Sequence, residues 1–282
     1  MIGRSQRGFT LIELVVTLVV AGIVVAFMSL FMVAPVQGYL AQSRRAELTD
    51  AANNAMRVLS NDIHAAVPES FRFVRNGPVV AIQMIETIDV ARYRRAGTSG
   101  VPTQELDFGP PGDGQFNLLR SFERMQPFDR RDLFLVVGYT GGNYPGPGQI
   151  TPVNQRIVLT RPVGTNEDQI TLLPAVTFTP GTSDNIFLVS GPVTYLCDET
   201  PGVNTLTRYS NHPIAPTIAS YDSAAELAGF PSSVVARDVA ACGVNYAQGT
   251  AQRGGLAMIQ ITLSRNGENV RVMHQVQVDK RP

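Results

Sequence analysis

The chain has 282 residues and a formal net charge of zero. That length carries a membrane segment plus a sizeable folded domain with its own core. The basic residues are almost all arginine, scattered singly or in pairs, which excludes a surface built to track a phosphate backbone, so nucleic acid is not an expected partner.

The chain opens with MIGRSQRG, carrying Arg4 and Arg7, and then runs from Phe9 to Ala34 as FTLIELVVTLVVAGIVVAFMSLFMVA. As a helix that run spans roughly 39 Å, more than the ~30 Å hydrocarbon core of a bilayer. Positive charge ahead of a first apolar segment keeps that end in the cytoplasm, so the rest of the chain is exported. A secretory signal peptide has a shorter apolar region closed by a small-x-small site, and neither holds here. A plain signal anchor accounts for length and orientation but not for Glu13, the one ionisable side chain in the run. A carboxylate in a bilayer costs about 2.5 to 3.5 kcal/mol at the centre and less near an end, so it calls for a partner.

Arg7-Gly8-Phe9-Thr10-Leu11-Ile12-Glu13-Leu14 resembles the class III signal of type IV prepilins, pseudopilins and related minor pilins. The resemblance implies cleavage by a prepilin peptidase between Gly8 and Phe9 and N-methylation of Phe9. It further implies that Glu13 neutralises the terminal amine of a neighbouring subunit, setting axial register in a helical bundle. Cutting on the cytoplasmic side removes the leader charges and keeps the anchor.

Pro35 follows the apolar run, and a kink is expected there. Beyond it Leu48, Ala52, Ala55, Met56, Leu59, Ile63, Ala66 and Val67 recur at three- and four-residue intervals, with Asp50, Asn53, Arg57 and Asn61 off that stripe. This predicts one amphipathic helix that Pro68 ends, its stripe packing on a head domain. From Gly77 the pattern becomes short β-rich runs between Gly, Pro, Asn and Asp. Strands are expected at Val79 to Ile88, Leu133 to Tyr139, Arg156 to Thr160, Gln169 to Leu173, Ile186 to Val189, Val193 to Cys197 and Thr205 to Tyr209, with another from about Gly243. A short helical stretch is expected at Ser223 to Ala228. Residues 109–114 and 141–148 read as loops, and residues 95–131 as partly ordered or a surface excursion.

Asn266-Gly267 is a two-residue turn signal between Leu256 to Arg265 and Glu268 to Val278. Pairing Arg265 with Glu268 sets Leu263 against Val270, Ile261 against Val272, Ile259 against His274 and Ala257 against Val276. Nearly all the apolar residues then share one face, and that face covers core. His274 lies among them as a hydrogen-bonded structural histidine.

In an exported domain Cys197 and Cys242 are expected to pair, closing a loop worth about 4 kcal/mol in the chain-entropy model. No zinc-protease pair, nucleophile elbow, phosphate loop or paired-cysteine metal motif occurs, so no catalytic residue, cofactor or metal is expected. His64 and His212 read as surface residues. Asp198, Glu199 and Asn204 form an oxygen-rich loop that could hold calcium, but its spacing misses the EF-hand pattern.

The whole reads as α+β: a long N-terminal transmembrane and amphipathic helix on a mainly antiparallel β head. The expected division is a leader at 1–8, an assembly helix at 9–36, its amphipathic continuation at 37–67 and a head at 68–282. The bulky head suits a minor subunit near a tip or in assembly initiation better than a shaft subunit. Residues 65–72, AAVPESFR, and the cysteine-bearing C-terminal segment resemble O-type minor pilins of mannose-sensitive haemagglutinin pilus biogenesis. J-type minor pseudopilins of type II secretion and W-type minor pilins are the competitors, and a tip adhesin is the alternative of another class. Implied partners are the prepilin peptidase, other major and minor pilins or pseudopilins, the inner-membrane assembly platform and membrane lipid. The implied location is the bacterial inner membrane, head in the periplasm, and then the filament.

Overall fold

The computed structural model describes residues 8–68, 70–97, 100, 104–120, 122–123, 129–130, 132–137, 144, 150, 156–180, 183–249 and 254–278. A 54-residue helix, α1 (Leu11–His64), comes first and runs through Pro35 without interruption, a length of roughly 81 Å. Thr10 caps it. Its Oγ1 accepts the Glu13 N–H at 3.4 Å, and its carbonyl accepts the N–H groups of Glu13 and Leu14 at 3.1 and 3.2 Å. Pro68 does not end the helix. The last turn closes four residues earlier, because there the backbone leaves the helical ladder for a strand: Ala65 C=O accepts from Thr87 N–H and Val67 N–H donates to Ile85 C=O, both at 2.8 Å.

The strands are β1 (Arg72–Asn76), β2 (Val79–Tyr93), β3 (Asp113–Arg120), β4 (Asp129–Arg130), β5 (Phe134–Val137), β6 (Arg156–Thr160), β7 (Asp168–Val176), β8 (Asn185–Asp198), β9 (Thr205–Ser210), β10 (Ser232–Arg237), β11 (Val239–Ala247), β12 (Gly255–Arg265) and β13 (Glu268–Val278). Every strand ladder is antiparallel. A ten-stranded sheet runs β10-β9-β8-β2-β3-β7-β6-β4, with β1 also on β2 and β5 also on β8; a three-stranded sheet runs β11-β12-β13. An apolar N-terminal helix followed by a mostly antiparallel head is thus the architecture.

The β12–β13 register is the one counted from the turn, Arg265 to Glu268 through Ala257 to Val276. Its core-facing residues Ala257, Ile259, Ile261, Leu263, Val270 and Val276 are buried in one cluster with Leu48, Ala52, Met56, Leu59 and Ile63 of α1 and with Val80, Ile82, Val193 and Tyr195 of the larger sheet. All eight residues of the amphipathic stripe are buried, while Asp50, Asn53, Arg57 and Asn61 are exposed. Burying the larger side chains of that stripe, at about 1.5–3 kcal/mol each, holds the helix to the head.

Elsewhere the strand expectations need correction. The two runs predicted around Ile186 and Val193 are one strand, β8, because Gly191 and Pro192 pair with Glu86 and Ile85 beside a register shift that leaves Ser190 as the extra residue, rather than forming a turn. Residues 95–131, read as partly ordered or an excursion, contain β3, which lies inside the large sheet between β2 and β7. With β5, β6 and β7 it builds a second core around Tyr93, Phe116, Leu135, Ile157, Ile170 and Leu188. Residues 223–228 form turns, not a helix. The 141–148 loop falls outside the described residues except Tyr144, over whose ring the Arg72 guanidinium stacks at 3.5 Å.

Candidate functional site

Among the described residues, no side chain of the N-terminal half of α1 is buried. From Leu11 to Met28 it is long and apolar enough to cross a membrane, and none of that window is buried; Phe9 and Leu11 are 76% and 83% exposed. Glu13 is the acidic residue of the first turn, where the helix dipole favours a negative charge. Among the described residues its carboxylate meets no hydrogen-bond or ionic partner; only its backbone N–H is used, by Thr10. Gly8 and Phe9 precede the cap, exposed and outside the helix.

The other half of α1 is clamped. Asp62 Oδ2 accepts from Tyr195 Oη of β8 and from Arg208 Nε of β9, each at 2.6 Å, and Arg208 also reaches Glu86 of β2 at 3.5 Å. Burial first, and then the Asp62 carboxylate beside it, push the Tyr195 hydroxyl far above the ordinary phenol range. Glu47 lies 3.5 Å from Arg265, which itself pairs with Asp238 at 2.6 Å. Sequence reasoning placed Asp62 on neither face; its position beside the buried Ile63 was the only available signal.

Residues 3–29 match the prokaryotic N-terminal methylation motif. The match supports a type IV pilin-like chain, one that a prepilin peptidase processes and that assembles with other pilins, and it points to a structural subunit rather than an enzyme. The exposed apolar helix fits the single-pass anchor of such a subunit. No curated protein and no solved structure matches the chain.

The remaining sequence candidates serve the head. Cys197 of β8 and Cys242 of β11 are bonded, Cα to Cα 6.4 Å, and so join the two sheets. Beside them Glu199 pairs bidentately with Arg75 at 3.1 and 3.2 Å and accepts the Cys242 N–H at 2.8 Å. Burial pushes the Glu199 carboxyl up, but Arg75 and that N–H outweigh it and hold it below the usual carboxylate range. The oxygen-rich loop turns its oxygens inward: Asp198 Oδ1 accepts from Thr200 N–H and Asn204 Oδ1 from Gly202 N–H, at 2.9 and 3.0 Å. Among the described residues no three His, Cys, Asp or Glu side chains are grouped to hold a metal ion.

His212 is not a surface residue. Only 3% exposed, its Nε2 lies 2.8 Å from Thr194 Oγ1 and its Nδ1 3.1 Å from Pro213 C=O, with the Tyr221 ring 4.5 Å away. The His-Pro dipeptide reads as a loop because its burial comes from residues far along the chain. His274 is half-buried, with Nδ1 3.5 Å from Ser60 Oγ of α1. A cleft of about 500 Å³ opens at the C-terminal end of α1 between His64, Thr87, Arg92 and Arg120. Its charges are paired, Arg120 with Glu123 at 2.5 Å and Arg92 with Asp184 at 3.7 Å.

Proposed function

We propose that this chain is a minor subunit of a type IV pilus-like filament, acting near the tip or in assembly initiation. On this reading cleavage falls between Gly8 and Phe9, Phe9 is methylated, and the Glu13 carboxylate meets the terminal amine of the neighbouring subunit. The observation that carries it is an apolar helix with none of its membrane-length window buried that lies within the matched methylation motif and holds Glu13, a carboxylate without a partner among the described residues. A membrane anchor needs the first property and has no use for the second. An unmatched charge in the apolar bundle penalises every register but one, so it sets alignment as well as attraction.

The size of the head supports the minor role. Thirteen strands and four apolar clusters among the described residues are bulky beside a helix only about 10–12 Å across with its side chains, and subunits repeating at close axial spacing would collide. The AAVPESFR segment after the helix favours the mannose-sensitive haemagglutinin system, with the inner-membrane assembly platform and membrane lipid as further partners.

Mass spectrometry of the mature N-terminus tests processing: N-methyl-Phe9 is expected, and recovery of Met1 or of a cut beyond Ala34 would overturn the reading. Glu13→Ala tests register. It should abolish incorporation into filaments while leaving the folded, disulfide-bonded head at normal abundance, and normal incorporation would refute the charge argument.

A further inference from the structure

We infer that the outer edge of β13 is a docking site for an extended segment of a different protein. The two-residue turn makes Arg265 and Glu268 a hydrogen-bonded pair, so the even-numbered residues of β13 turn their N–H and C=O groups to β12. The odd-numbered ones, Asn269 to Gln277, turn theirs outward. Among the described residues β13 pairs with β12 alone, and none of those outward groups meets a backbone partner. Their side chains are all exposed, Met273 by 55%.

The opposite edge of the same sheet is treated differently. On β11, Val239 N–H donates to Asn204 C=O at 3.0 Å and Val239 C=O accepts from Asn204 Nδ2 at 2.9 Å. Cys242 N–H donates to Glu199, and Cys242 C=O accepts from Arg75 at 2.5 Å. At these two residues the groups that a foreign strand would need are already occupied. Among the described residues β13 is lightly defended: it has eleven residues, an unbroken register against β12 and no proline, and its one outward cation is Arg271.

The occupant is not the same edge of a second copy. Identical edges close on each other antiparallel, about an axis normal to the sheet. That rotation reverses α1, which lies flat on β12 and β13, so two apolar segments would point in opposite directions and could not share one membrane. This exclusion rests on the anchored, filament-forming reading above. The chemistry of the edge describes what fits instead. On the helix side Val272 and His274 are only half-buried between the buried Val270 and Val276, so the incoming strand carries apolar residues at alternate positions there. Facing Asn269, Arg271, Met273, Gln275 and Gln277, its other side is uncharged or acidic.

The test is photo-crosslinking of the full-length chain in the producing cells, with the reactive residue placed in turn at Arg271, Met273 and Gln275. Docking predicts adducts to one stretch of one other protein, the attachment point moving two residues with each step of the probe. With the probe at Met273, Gln275→Pro should cut the adduct about tenfold, the worth of one lost edge hydrogen bond. Its N–H serves no ladder bond, so abundance and the Cys197–Cys242 bond should not change. Gln275→Glu with Gln277→Glu, which removes no N–H and sets like charge against an acidic strand or an uncompensated charge against a neutral one, should weaken the adduct in the same direction. No adduct, an adduct to a second copy, attachment points that do not step with the probe, or indifference to both variants would overturn the inference. N-terminal mass spectrometry on the same cells judges the filament reading separately, since loss of N-methyl-Phe9 and loss of the adduct are independent readouts.

Discussion

Replacing Asp62 by alanine removes the group on which two strands of the large sheet hold α1. Tyr195 Oη and Arg208 Nε both donate to one carboxylate oxygen at 2.6 Å, and the side chains of Asp62 and Arg208 are only 17% and 22% exposed. A hydrogen bond to a charged group contributes about 1.5–3 kcal/mol, and stripping one partner from a buried pair costs about 3–5 kcal/mol. Arg208 keeps Glu86 at 3.5 Å as a second counter-ion, which places the expected loss at the lower end, about 3 kcal/mol. For a domain of this size that is a fall in Tm of about 6–12 °C. Tyr195→Phe removes one neutral donor and leaves the ion pair intact, so it should cost about 1 kcal/mol. The assay is thermal unfolding of the full chain in detergent, followed by circular dichroism of the β head. A Tm for Asp62→Ala within about 1 °C of the parent, or a larger loss for Tyr195→Phe than for Asp62→Ala, would refute the clamp.

Replacing both Cys197 and Cys242 by alanine should lower stability by about 4 kcal/mol, since the bond closes a loop of 45 residues; an unchanged denaturant midpoint would contradict this. His212 predicts acid sensitivity. Burial above all, and the Arg72 charge nearby, hold its imidazole below the usual histidine range despite the opposing bond to Pro213. The unfolded chain therefore binds the proton more readily, so this stabilisation is complete above about pH 6.5 and is lost as pH falls below it. Denaturation midpoints between pH 7.5 and 5 should fall less steeply in His212→Gln, and equal slopes would count against it. Gly112 has φ +101°, and a Cβ there would lie 2.7 Å from the Val176 carbonyl carbon. Gly112→Ala should therefore cost about 1–3 kcal/mol and loosen the β3–β7 pairing, read as faster amide exchange along β3 than along β13.

Legibility in the sequence followed the range of the forces involved. The apolar run, the buried stripe of α1 and the β12–β13 hairpin rest on periodicities within a few turns or residues, and they were readable down to the pairing of Ile259 with His274. β3 was not, because DGQFNLLR between a Pro-Gly turn and a polar stretch carries no clean alternation. It becomes a strand because β2 and β7 supply its hydrogen bonds from either side. Gly191-Pro192 looked like a break for the complementary reason: a local breaker is tolerated where a bulge needs one. The roles of Asp62, Tyr195 and Arg208 arise only when residues more than a hundred positions apart meet, and no spacing announces that.

Helix α1 therefore divides its length between two kinds of attachment, and the division constrains how Glu13 can act. From Leu48 onward the helix is fixed by burial and by the Asp62 clamp, so its direction relative to the head is set before any assembly. None of the Leu11–Met28 window is buried, so that segment accepts whatever apolar surface adjoins it. Apolar contact alone is indifferent to sliding, since lipid tails and leucine are equally good neighbours. One carboxylate at a defined height breaks that indifference. The macrodipole of its own helix already favours Glu13 by about 0.3–1 kcal/mol, too little to offset the cost of an unpaired charge in hydrocarbon. A cation at matching height is still required, and on the reading proposed above it is the amine that cleavage would free at Phe9 of an adjoining chain. A neutral Glu13→Gln chain should therefore still enter the membrane yet lose its preferred height among its neighbours. Cysteine-crosslinking between adjacent helices would show this as adducts spread over several registers, whereas an unchanged single register would mean that packing, not charge, aligns the bundle.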